Sequence, residues 1–137
     1  MIEFVYGAKG SGKTKKMIDM ANAELQDAKG DILFINDRDK YRVTVDNQIR
    51  FVNSEDFGIK GVYELFGFIC GVIAGNYDVG VVYIDNLLRI IGAETPDDME
   101  PLLKRLDLIQ KQQDIKFVLS VSCEEDAIPD VVKNYLN

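Results

Sequence analysis

Gly7-Ala8-Lys9-Gly10-Ser11-Gly12-Lys13-Thr14 is the stretch on which the reading of this chain turns. It fits the pattern G-x-x-x-x-G-K-[ST]. Glycines there let the backbone curl so that successive N–H groups converge on an anion, and the following helix adds the positive end of its dipole. A Cβ at Gly7 or Gly12 would collide or forbid the backbone angle. All eight residues are candidate ligand contacts. Lys13 is expected to set its ammonium on the outer phosphates of a nucleotide, and Thr14 to offer its hydroxyl to Mg²⁺. From average residue usage the pattern arises by chance in roughly one such chain in a few hundred. A glycine- and lysine-rich surface turn is therefore a poor account of it.

The flanks supply the setting that the pattern needs. Ile2-Glu3-Phe4-Val5-Tyr6 reads as a buried strand, and Met17, Ile18, Ala21 and Leu25 recur at helical spacing, with Lys29-Gly30 expected to close that helix. Asp31-Ile32-Leu33-Phe34-Ile35 is a continuous apolar run, the mark of a strand covered on both faces. Asn36-Asp37-Arg38-Asp39 follows at its carboxyl end, where open α/β sheets bind ligands. A solvated loop is an equally good reading of those four residues.

Further along, Arg42-Val43-Thr44-Val45 and Ile49-Arg50-Phe51-Val52 predict a small hairpin or one irregular strand. Asn53-Ser54 offers a cap to a second helix. Its stripe is Val62, Leu65, Phe66, Ile69, Val72 and Ile73, and its Gly61, Gly67 and Gly71 are expected to let it pack close against the sheet. Val79-Gly80-Val81-Val82-Tyr83-Ile84-Asp85 reads as another buried strand, ending in a carboxylate. Leu87, Leu88, Ile90 and Ile91 surround Arg89 as core or as a partner surface. Thr95-Pro96-Asp97-Asp98 has capping-box spacing, and Leu102, Leu103, Leu106, Ile109 and Ile115 give the next helix its apolar side. Residues 116–122 form the last expected strand, and residues 127–136 a closing helix.

Composition bounds the rest. A chain of 137 residues, 47% hydrophobic and 28% charged, is expected to be one soluble globular domain spanning 1–137. The apolar run 65–74 is too short to span a bilayer, and the acidic start does not resemble a signal peptide, which points to the cytoplasm. Cys70 and Cys123 form no C-x-x-C pair, and the absence of histidine removes His-based triads and metal sites. A net charge of −7 argues against general nucleic-acid binding, although Lys9, Lys13, Lys15 and Lys16 make a local positive spot.

The alternation of strands and helices predicts a three-layer α/β fold, a mainly parallel sheet of four to five strands with helices on both faces. With residues 7–14 and Asp85 in place, the chain resembles the P-loop NTPase superfamily, in the branch of RecA-like ATPases and cellular thymidine kinases. That resemblance implies a Mg-ATP site, with Thr14 and Asp85 as the metal residues. It also implies a strand inserted between the loop strand and the Asp85 strand, with Ser120 or Ser122 sensing the γ-phosphate. The chain departs from that branch after Asp85, where a Glu general base is usual and Asn86 stands instead. An amide orients water but cannot take its proton. The zinc ribbon and lasso of the thymidine kinases and the N-K-x-D of GTPases are also missing.

Three readings follow. In an ATPase, Lys13 and Mg²⁺ stabilise charge while Asn86, Asp37 or Glu124 places water. In a small nucleoside or nucleotide kinase, Asp37 acts as base and Arg38 steadies the substrate. In a regulatory nucleotide-binding subunit, hydrolysis waits for a protein partner or a second copy, which could dock through Leu87–Ile91.

Overall fold

Runs of consecutive apolar residues, rather than alternating ones, force strands to be covered on both faces, and that is the architecture found. The computed structural model describes residues 1–124 and 127–135. Its strands are β1 (Ile2–Gly7), β2 (Asp31–Asn36), β3 (Arg50–Asn53), β4 (Val79–Ile84) and β5 (Lys116–Ser122). They form one sheet in the order β1-β5-β4-β2-β3, with every pairing parallel. The carboxyl ends of all five strands consequently lie along one edge.

Successive residues of each strand feed different layers. Ile32, Phe34, Val81, Tyr83 and Val118 pack under α1 (Lys13–Glu24), whose Met17, Ile18 and Ala21 are buried against them. Leu33, Ile35, Val82, Ile84, Phe117 and Leu119 face the other way. There they meet α2 (Val62–Gly75), α3 (Leu87–Ile91), α4 (Glu100–Gln113) and α5 (Asp130–Lys133). The result is three layers, with helices on both faces of the sheet. Register also lines up aromatic rings under α1. Phe34 sits opposite both Phe51 and Tyr83, and the rings stack at 5.9 and 5.8 Å. Offset stacking of this kind adds about 0.5–1.5 kcal/mol per pair beyond area burial.

Several local expectations are corrected. Only Arg50–Asn53 of the supposed hairpin is a strand, and it pairs in parallel with β2. Residues 42–45 instead follow a short 3-10 turn, Asp39–Tyr41, and Val45 and Ile49 tuck into the α1-side core. Helix α1 ends at Glu24, before Lys29-Gly30. Gly30 serves a different purpose, because a Cβ there would fall on the carbonyl oxygen of Asp78. Asn53 caps the 3-10 turn Ser54–Phe57, its Oδ1 accepting from the Glu55 N–H, while α2 starts only at Val62. Ideal Cβ atoms at Gly67 and Gly71 meet nothing within 4 Å, so these glycines do not serve close packing. Of the two readings of Leu87–Ile91, core or partner surface, Leu87, Ile90 and Ile91 follow the first. The closing helix is Asp130–Lys133; Leu136, where it was expected to end, lies outside the described residues. No helix among the described residues is long and apolar enough to cross a membrane.

Alanine at Gly67 or Gly71 has room and restores helix propensity, so each substitution should stabilise the protein by about 0.5–1 kcal/mol. Gly30→Ala should cost about 1–3 kcal/mol through a forced backbone shift. Urea unfolding of the three variants checks both signs.

Candidate functional site

The loop after β1 curls through two left-handed glycines, Gly10 at φ 81° and Gly12 at φ 91°, and Gly12 caps α1. A side chain at either position would be strained. Gly7 is needed for another reason, since a Cβ there would stand 2.6 Å from the Ser11 hydroxyl. Lys13 closes the curl by donating from Nζ to the carbonyls of Gly7 and Ala8, both at 3.0 Å. The Gly7 carbonyl also accepts from the Cys123 N–H at 3.0 Å, which ties the loop to the end of β5. The first turn of α1 carries no acidic residue of its own. Beside the loop lies a cleft of about 520 Å³, lined by Gly7, Ala8, Gly12, Lys13, Lys16 and Glu124 among others. Lys9 is exposed, and Lys15 pairs with Asp19 on the solvated face of α1.

Across β5 from the loop, Asp85 follows β4 and is fully buried. Four neutral donors hold its carboxylate. Oδ2 accepts from Thr14 Oγ1 at 2.7 Å and from Asn36 Nδ2 at 3.0 Å. Oδ1 accepts from Ser120 Oγ at 2.6 Å and from the Asn86 N–H at 3.0 Å. The amide of Asn36 is oriented in turn, because its Oδ1 accepts from the Arg38 N–H at 3.1 Å. Asn36 itself is fully buried at the end of β2.

A second tier adjoins the first. Asn86 Nδ2 donates to Asp37 Oδ1 at 3.1 Å and to Asn36 Oδ1 at 3.4 Å. Arg89, on α3, grips Asp37 with two donors, Nε on Oδ2 and Nη2 on Oδ1, the latter at 2.7 Å. Burial opposes ionisation of Asp37. The hydrogen bonds and charge of Arg89, with the Asn86 amide, outweigh it and hold the carboxyl below its ordinary 3.8. A carboxylate so stabilised is a weaker base than a free one. Arg89 is raised by its partner, chiefly through the same hydrogen bonds.

Thus Thr14, Asp85, Asn86 and Asp37 are linked by hydrogen bonds, Lys13 beside Thr14 in the chain is turned to the loop carbonyls, and Arg38 joins the cluster through its backbone N–H. Glu124 sits at the cleft, apart from Asp85. Ser120 gives its one hydroxyl proton to Asp85 and accepts from the Asn86 N–H at 2.8 Å. Ser122, in register with Gly7 and exposed, is the serine left open. Asn36 and Arg89 were missed as site residues. Asn36 stood in the polar run after β2, but nothing in its spacing aimed it at Asp85. Another cavity, of about 1070 Å³, is lined by residues 42–51 with Asn22, Asn76 and others, and contains none of these groups. No family model matches the chain, and no curated protein matches its sequence.

Two outcomes follow. Asn36→Ala should cost about 1–3 kcal/mol in urea unfolding, because a buried Asp85 oxygen loses a donor. For the Asp37 pair, the folded pKa lies below the unfolded 3.8, so its stabilisation is present above pH 3.8 and is lost as pH falls through the folded value. The stability gap between wild type and Asp37→Asn should therefore be widest near neutrality and close in acid.

Proposed function

We propose that this chain is a P-loop nucleotide-binding protein. It takes a nucleoside triphosphate, ATP in the first instance, with Mg²⁺ at residues 7–14, and cleaves it slowly or only when a protein partner or a second copy completes the site. The observation that carries this reading is the 2.7 Å hydrogen bond from Thr14, in the first turn of α1, to the buried carboxylate of Asp85. It joins the two ends of the expected motif across an intervening strand. The position of β5 between β1 and β4 supports the likeness to RecA-like ATPases and thymidine kinases.

The donor set suits Mg²⁺. Thr14 Oγ1 and Asp85 Oδ2 are hard oxygen ligands, and Asp85 makes no salt bridge among the described residues. No cluster of three or more acidic, Cys or His side chains that could hold an ion by itself occurs among them. That fits an ion carried largely by phosphates and water. Thr14 would hold it directly and Asp85 through water, and its chemistry there is to neutralise phosphate charge. Lys13, already across the loop, has a third ammonium proton to give to a phosphate oxygen.

The cluster holds no strong general base for hydrolysis. Asn86 cannot accept a proton, and both Asp37 oxygens already accept from Arg89, with Asn86 on one of them, which lowers its basicity. The same pairing disfavours a kinase that uses Asp37 as its base, and favours a binding subunit as the second reading.

Calorimetric titration of Mg-ATP and Mg-GTP tests the assignment. Wild type should bind at least one of them, and Lys13→Ala should weaken it by about 2–3 kcal/mol, the loss of charge-assisted bonds. Undetectable binding of both nucleotides at millimolar concentration would overturn it.

A further inference from the structure

Asn86 is held more firmly than an exposed amide needs to be. Its backbone is left-handed at φ 58°, a conformation that Asn adopts more readily than other side chains. Its N–H is taken by Asp85 and Ser120. Its carboxamide nitrogen donates to two acceptors, Asp37 Oδ1 and Asn36 Oδ1. Its carboxamide oxygen has no hydrogen-bond partner among the described residues and is not among their buried unpartnered atoms.

Asp37, the nearer of those two acceptors at 3.1 Å against 3.4 Å for Asn36 Oδ1, is the main determinant of which way this amide faces. An ionised carboxylate only accepts, so it selects the NH₂ end of Asn86 and turns the oxygen away. Holding a second carboxylate beside Asp85 requires a counter-charge, and Arg89 supplies it. The Asp37 side chain is 7% exposed and that of Arg89 43%. The guanidinium fork fixes both carboxylate oxygens, which a single ammonium could not do.

We infer that Arg89 and Asp37 are positioning residues that fix the carboxamide of Asn86 so that its oxygen orients the attacking water at the γ-phosphate. This rests on the nucleotide-binding reading above. In the step it serves, the water oxygen forms a bond to the γ-phosphorus. The bond from that phosphorus to the bridging oxygen breaks, and its electron pair leaves with ADP. Asn86 accepts a hydrogen bond from the water but no proton, so the proton passes to a γ-phosphate oxygen. ATP and water give ADP and inorganic phosphate.

The test pairs Mg-ATP affinity with single-turnover cleavage in wild type, Asp37→Asn, Arg89→Gln, Arg89→Lys, Asn86→Ala and the Asp37→Asn/Asn86→Ala double variant, each checked by thermal melting. In Asp37→Asn the introduced carboxamide can present either its oxygen or its NH₂ group, so Asn86 would keep only the longer contact to Asn36 Oδ1 to select its NH₂ end, and its flipped state would gain population. Affinity should stay within about twofold in Asp37→Asn, while cleavage falls about tenfold or more. Arg89→Lys, retaining charge without the fork, should fall between Arg89→Gln and wild type. In the Asn86→Ala background, Asp37→Asn should have no further effect on the rate. Unchanged cleavage in Asp37→Asn, or additive losses in the double variant, would overturn the inference. So would a wild type that binds Mg-ATP without cleaving it. Failure of wild type to bind nucleotide at all would instead overturn the function on which the inference rests. Should Asp37→Asn melt below the assay temperature, the order of the three residues at position 89 decides the matter.

Discussion

A buried carboxylate with no salt bridge among the described residues is the constraint around which this molecule is arranged. Taking such a charge out of water costs several kcal/mol unless its lone pairs are satisfied. Asp85 is satisfied by four neutral donors drawn from separate parts of the chain: Thr14 at the start of α1, Asn36 at the end of β2, the Asn86 amide before α3 and Ser120 within β5. Each donor is correctly placed only when its own element is docked. The carboxylate therefore acts as a register mark for the whole carboxyl edge of the sheet.

The all-parallel topology makes that convergence achievable. With every strand running the same way, all the strand-end residues reach one edge, and the order β1-β5-β4-β2-β3 sets β5 and β4 between the loop and Asn36. α1 then spans the distance, beginning beside the loop and lying over the face that carries Phe34 and Tyr83. Around Asp85 the groups are graded in charge. Neutral hydroxyls and amides touch it, and the Asp37–Arg89 ion pair stands one residue further out, where Arg89 is half in solvent.

Much of this was legible in the chain. Strands announced themselves because burial on both faces demands unbroken apolar runs, as in residues 32–35 and 79–84. The loop was legible because its glycines and lysine serve local backbone geometry that spacing alone encodes. Residues 42–45 misled, since β-branched residues next to an arginine look like a strand whether they pair or merely tuck Val45 under α1. Gly67 and Gly71 misled for the opposite reason: a missing side chain looks alike from the sequence whether it faces a neighbour or open space. Asn36 and Arg89 were illegible because their roles depend on partners 49 and 52 residues away.

The glycines of α2 have a further consequence, for motion. Three of its fourteen residues, Gly67, Gly71 and Gly75, are poor helix formers, and only Leu65 and Ile69 are buried. A helix with so little intrinsic propensity persists through what it packs against. Its backbone amides should open to solvent on a shorter timescale than those of β4 or β5, giving the molecule a soft flank on the α2 side of an otherwise rigid sheet.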